Sequence, residues 1–339
     1  MKIKPMTPVV HPPVVDRIAY VLPWGTHSFK AYSALLAPVQ SRIKSAIAAG
    51  RCERKYFPGS RYRESFHLNL NSGAKALVQI GAAQPDRQNG GIRVMMNPAK
   101  LGDGDVRQFN RIMSRIVGDD YDELMERPLV NCLDFAVDIH YLLLNDLLVH
   151  YKGAHQFTLF CQRFDAYGVI NGYNIGSASS AYMDAIYSKS TERTHAALLS
   201  IAKEGLNTEA LTANALKQMK RVKDGPDVVR VEIRGKKMRG TKLHQLASLP
   251  NRFERFSFAH LNAGGPELPT LVTKAFHAMC RQDGVKAALA TFKHSDHARV
   301  VNAYWRNRQC GWWQPKPMWQ QACDAVRNIG LFPDRAFGT

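Results

Sequence analysis

The chain has 339 residues, an apolar fraction of 45%, and 46 Lys and Arg against 28 Asp and Glu, a formal net charge of +18. This length and apolar content exclude global disorder and leave room for two domains, or one large domain with an added lobe. The cationic excess points to a polyanionic partner, nucleic acid before membrane, and no continuous apolar run is long enough to span a bilayer.

Residues 1 to about 25 are rich in proline and predict an extended lead-in, with too many prolines for the core of a signal peptide. From about Ser28 to Ala49, Phe29, Tyr32, Leu36, Val39, Ile43 and Ile47 recur at three- and four-residue intervals. This spacing predicts an amphipathic helix stopped by Gly50. The stretch RCERKYFPGSRYR, residues 51–63, interleaves basic and aromatic side chains, a composition suited to phosphate contact and base stacking. Arg61 and Arg63 are its candidate DNA contacts.

Alternation in FHLNLN predicts a half-buried strand over Phe66 to Asn71. A second strand is expected over Ile92 to Met96, stopped by Pro98, and a helix over Asp105 to Val117. The cleanest strand is LDFAVDIH, with Leu133, Phe135, Val137 and Ile139 to one side and Asp134, Ala136, Asp138 and His140 to the other. Tyr141 to Tyr151 is expected to be helical, and Phe157 to Phe160 a strand. Six cysteines at 52, 132, 161, 280, 310 and 323 form no CxxC pair and read as reduced thiols of a cytoplasmic protein.

The stretch GYNIGSASSAYMDAIYSKSTER, Gly172 to Arg193, places a glycine- and serine-rich turn between two short strands. Tyr187 and Lys189, two residues apart, are expected on one strand face. A phenol beside an ammonium is a workable nucleophile for phosphoryl transfer, because the cation favours the phenolate and attracts a phosphodiester. Helices are expected over Thr191 to Ala202 and Ala210 to Arg221. The run from Lys217 to Lys242 is strongly basic, offering Lys217, Lys220, Arg221, Arg230, Arg234, Lys236 and Lys237 as DNA contacts. Within it VRVEIR alternates as a strand with Arg230, Glu232 and Arg234 on one face.

Beyond Thr241 the periodicity turns helical: Lys242 to Leu249, Leu268 to Gln282, Val285 to Phe292, Asp296 to Arg308 and Met318 to Ile329. The expected organisation is a lead-in and helix over 1–60, a catalytic core over 61–250 and a helical C-terminal lobe over 251–339. The fold class is α+β, a central antiparallel sheet with helices on one face. The other face would gather Asp134, Asp138 and Glu232, a hard-oxygen set suited to Mg2+ or Mn2+. Such a metal would polarise a phosphodiester for attack by Tyr187. There is no GxxxxGK[ST], no HxxR ahead of a C-terminal tyrosine, and no His-hydrophobic-His pair.

In order, LDFAVDI, GYNIGSASSAYMDAIYSK and VRVEIR resemble the replication-initiation proteins of rolling-circle plasmids and filamentous phages, most of all the Rep_trans type, which lacks the double histidine. Asp134 and Asp138 match its aspartate strand. Ile175, Gly176, Ser177, Tyr187 and Lys189 match its "IGS...YDK" segment, and Arg230 and Glu232 its R-x-E strand. NPAK at 97–100 is similar to a phage motif. Two positions depart from the pattern: Cys132 or Leu133 stands where arginine is usual, and Ser188 replaces aspartate. The resemblance implies a relaxase-like fold and a metal-dependent nickase and religase acting on origin DNA, single-stranded or in a hairpin, in the bacterial cytoplasm. Its partners would be a host helicase and polymerase, with a homodimer as one assembly. Two alternatives remain open: a DNA-binding regulator on the same fold without the chemistry, and an RNA-binding sheet. The second would need aromatics where three strands present carboxylates.

Overall fold

In the computed structural model, which describes residues 7–25, 28–88, 90–153, 160–164, 170–177, 179–204, 217, 220, 225–238 and 240–338, the chain is α+β and is built on a large antiparallel sheet. No described helix is long and apolar enough to cross a membrane. The chain divides into two units. One comprises Val14–Phe135, Arg234–Pro250 and Gln320–Thr339, and the other Met1–Pro13, Ala136–Ile233 and Asn251–Trp319. The long strand Leu129–His140 gives its first part to the former and its last part to the latter.

In the unit that begins at Val14, the strands run in the order Cys52–Lys55, Tyr62–Asn69, Lys75–Ala82, Ile92–Met96, Val14–Leu22, and then the start of Leu129–His140. The expected lead-in therefore contains a central strand. Ile18, Ala19, Tyr20, Val21 and Leu22 are all buried, so both faces of Val14–Leu22 are covered and no polar alternation marks it. Lys75–Ala82 escapes a pattern search for the same reason, since every residue in it after Lys75 is buried. The helix Phe29–Ala48 forms as its spacing requires. The Ser28 hydroxyl accepts from the Ala31 N–H at 3.4 Å, and Tyr32, Leu36, Val39 and Ile43 are buried. The helix Asp105–Val117 buries Phe109, Ile112, Met113 and Ile116. Its fully buried Asp105 accepts from the Ser72 hydroxyl and, at 2.8 Å, from the Gly102 N–H.

In the other unit, the end of Leu129–His140 is followed by Val228–Gly235, Asp184–Ser188, Ile170–Ile175 and Phe160–Phe164. The expected helix over Tyr141 to Tyr151 is instead a 3-10 turn, Leu144–Asp146, and a strand, Leu147–Tyr151. That strand pairs with Phe256–His260, more than a hundred residues later. A partner so distant leaves no local signal at either strand. Helices Thr270–Asp283, Val285–Phe292 and Ala298–Asn307 form at the places their periodicity marks. They pack around Phe276, Val285 and Val301 together with Leu148 and Ala259. The helical segment thus shares its core with the middle of the chain, and Gln320–Thr339 falls with the unit that starts at Val14.

Candidate active site

Tyr187 lies on Asp184–Ser188, opposite Gly172 on one neighbouring strand and Arg230 on the other. Residues directly opposite across paired strands share a face, so these positions form one row. One strand further out, Arg163 stands opposite Gly172. A side chain at position 172 has no room: a Cβ would lie 2.5 Å from the Tyr187 Cβ and 2.6 Å from the Ile186 carbonyl oxygen. With that position bare, the Arg163 guanidinium sits 4.5 Å from the centroid of the Tyr187 ring, within cation–π range.

The Tyr187 hydroxyl donates to Glu232 Oε1 at 2.5 Å, and both residues are buried, at 5% and 4% exposure. Burial raises the phenol's pKa well above its ordinary value, and the Glu232 charge and hydrogen bond raise it further. The phenol is therefore held neutral, with its proton directed at a carboxylate. Lys189 does not continue the strand as expected; it opens the helix Lys189–Glu204. Its Nζ still lies 5.8 Å from the Tyr187 ring centroid, and it pairs with Glu192 at 2.5 Å.

Arg230 is expected as a DNA contact, yet it is buried at 8% exposure and forks onto Asp138, with Nε and Nη2 donating at 2.6 and 2.8 Å. Burial pushes the Asp138 carboxyl up, but the Arg230 hydrogen bonds and charge, with Arg193 and Lys189 nearby, bring it below the usual carboxylate value. A carboxyl with a lowered folded pKa contributes stability that is complete above its unfolded pKa, about 4, and is lost as pH falls through the folded value. Asp138→Asn is accordingly expected to flatten part of the acid limb of the stability profile below about pH 4, as read by denaturant unfolding across pH.

The three expected metal ligands are not brought together as a donor set. Asp134 is buried and pairs with Arg17 at 2.8 Å, Asp138 receives the Arg230 fork on both oxygens, and Glu232 accepts from Tyr187. Among the described residues no group of three or more His, Cys, Asp or Glu is arranged to hold a metal ion. As placed, these carboxylates are matched to cations and a phenol of the protein itself. The expectation of a polar face left open is also corrected, because Asp134, Arg230 and Glu232 are all buried. His140 packs against His11, with ring centroids 4.1 Å apart and the rings tilted by 51°.

The remaining expected DNA contacts scatter. Lys217 and Lys220 are exposed, and Arg221 lies outside the described residues. Arg63 is exposed and lies 5.6 Å from the Phe29 ring, while Arg234 is half-buried. Arg61, Lys236 and Lys237 line one cavity.

Sequence reasoning missed Arg163 and Gly172 beside the tyrosine, and Arg193 near Asp138. Only the register that sets Gly172 opposite Tyr187 identifies the first two, and a single sequence does not contain it. It also missed a second buried cluster. Asp184, fully buried, accepts from the Tyr151 hydroxyl at 2.6 Å and from Arg252 Nη2 at 2.7 Å. Arg252 in turn lies 4.1 Å from the Tyr182 ring centroid. No protein-family model matches the chain, and no curated protein matches it.

Proposed function

We propose that the chain is a site-specific DNA nickase and religase that starts rolling-circle replication at an origin, with Tyr187 as nucleophile. The observation that carries this reading is the hydrogen bond from the Tyr187 hydroxyl to Glu232, made beneath the Arg163 guanidinium and beside Lys189. In the proposed step Tyr187 Oη forms a bond to a backbone phosphorus while the bond from that phosphorus to the neighbouring sugar's 3'-oxygen breaks. The phenolic proton passes to Glu232, which returns it to the leaving 3'-oxygen, and the 5'-phosphate stays on the tyrosine. Reversal reseals the strand. Arg163 and Lys189 would offset the charge that grows on the phosphoryl oxygens. The freed 3'-OH would prime a host polymerase, with a host helicase opening the duplex.

Supercoiled DNA carrying the chain's own origin, incubated with the protein, is expected to yield an open-circular product and a covalent protein–DNA adduct. Running the reaction with Mg2+, with Mn2+ and with chelator measures whether the cofactor expected from sequence is required. A wild-type protein that neither nicks nor forms an adduct under any of these conditions would refute the proposal. The burial of Tyr187 favours a second reading, a DNA-binding replication or transcription regulator on the same frame. That protein would bind the origin and leave it intact.

A further inference from the structure

In the unit that begins at Val14, a cavity of about 550 Å³ is lined by Arg61, Arg87, Arg93, Lys236 and Lys237, with Tyr62 in its wall. Its volume lies inside the range of roughly 300–1,000 Å³ typical of ligand pockets. No carboxylate is among the described residues that line it. Arg61, Arg87 and Arg93 alone bring three guanidinium charges to one concavity whose described lining holds no acid, and an anion joining them would relieve their mutual repulsion.

Arg93 shows that the cavity is built and not a chance gathering of surface charge. It stands on Ile92–Met96, opposite Gln79, which is itself opposite Ser65, so the three form a row across adjacent strands. The buried Gln79 amide donates to Ser65 Oγ at 3.0 Å and to Ser60 Oγ at 3.2 Å, and its oxygen accepts from Arg93 Nη1 at 2.5 Å. A neutral amide thus aims a half-buried guanidinium whose charge no described carboxylate answers. Holding a cation partly out of water in this way is costly without an anionic partner. The cavity is formed by parts of the chain far apart in sequence: the start of Tyr62–Asn69, the turn after Lys75–Ala82, and the residues that follow Val228–Gly235. Arg87 and Lys237 are exposed at its mouth.

From this we infer that the cavity is a phosphate-binding site that takes the sugar–phosphate backbone of single-stranded DNA. Several cations around a concavity of this size suit consecutive phosphates of one strand, whereas a duplex would meet only the rim. The identity of the ligand as DNA rests on the strand-transfer reading above; the site as a phosphate receptor does not.

Equilibrium binding of a labelled single-stranded oligonucleotide to Tyr187→Phe protein, across a salt series, tests this apart from any nicking. Each phosphate contact contributes about 0.7 to the slope of log affinity against log salt for single strands. The Arg87→Gln/Lys237→Gln double variant, altered only at exposed positions, is therefore expected to lose about 1.4 from that slope and roughly 25-fold in affinity at 0.1 M salt. Arg93→Gln, checked for a native unfolding transition, is expected to weaken binding as well. Unchanged affinity and slope in both variants would overturn the site. Displacement of the oligonucleotide by a free nucleoside triphosphate at constant ionic strength would overturn the strand assignment and mark a free-nucleotide pocket. An inactive wild type that still shows the slope change would refute the nickase reading while leaving the phosphate site standing.

Discussion

Glu232→Gln is expected to slow formation of the covalent adduct by about 10²- to 10⁴-fold, the usual contribution of a positioned general base. Glutamine keeps the size of the side chain and a carbonyl oxygen for the Tyr187 hydroxyl, but it cannot take the proton. Binding of the origin oligonucleotide should be unchanged, because Glu232 is 4% exposed and faces the phenol. The Glu232 charge and hydrogen bond both raise the Tyr187 pKa, so removing the charge should lower it, although burial keeps the phenol above its ordinary value. The residual reaction of the variant should accordingly rise with pH in the alkaline range, as hydroxide substitutes for the missing base. A variant that forms adduct at the wild-type rate and pH profile would remove Glu232 from the chemistry. Tyr187→Phe distinguishes the nucleophile itself: an adduct that persists there would move the role to another tyrosine, Tyr182 or Tyr173.

Arg252→Ala is expected to destabilise its unit by about 3–5 kcal/mol, the cost of leaving a buried charge without its partner. The fully buried Asp184 would lose the guanidinium that donates to it at 2.7 Å, and Tyr182 would lose a cation 4.1 Å from its ring centroid. Asp184 begins the strand that carries Tyr187, so the loss should also reach the site and depress strand transfer. Denaturant unfolding with an intrinsic fluorescence readout measures the first effect. An Asp184→Leu/Arg252→Met double variant should recover part of the lost stability, since replacing both members of a buried pair by apolar groups removes the unanswered charge. A drop below 1 kcal/mol in Arg252→Ala would show that the cluster is hydrated and contributes little, as exposed ion pairs do.

The two clusters differ in how much of each the sequence displays. Tyr187, Arg230 and Glu232 are legible because they occur in short alternating strands, where a period of two marks which residues share a face. Asp184 is in the same stretch as Tyr187, yet nothing local connects it to Arg252 or Tyr151. The charge run from Lys217 to Lys242 reads as a uniform DNA grip, but its members diverge in the structure. Arg230 turns inward to Asp138, while Lys236 and Lys237 line the cavity with Arg61. A run of like charge gives composition without direction, and only the strand register decides which side chains face a carboxylate.

By itself the sequence determined the helices with a clear 3.6-residue period, the half-buried strands with alternating faces, the cationic balance and the tyrosine at the end of its strand. Each of these is written in local spacing, where the physics acts between near neighbours. The tertiary structure decided the rest. It revealed strands covered on both faces, such as Val14–Leu22 and Lys75–Ala82, which carry no alternation to read. It paired Leu147–Tyr151 with a distant strand where spacing suggested a helix. It also assigned Asp134, Asp138 and Glu232 to Arg17, Arg230 and Tyr187. A carboxylate's partner depends on which groups burial leaves within about 3 Å of it, and pairing between remote segments fixes that distance.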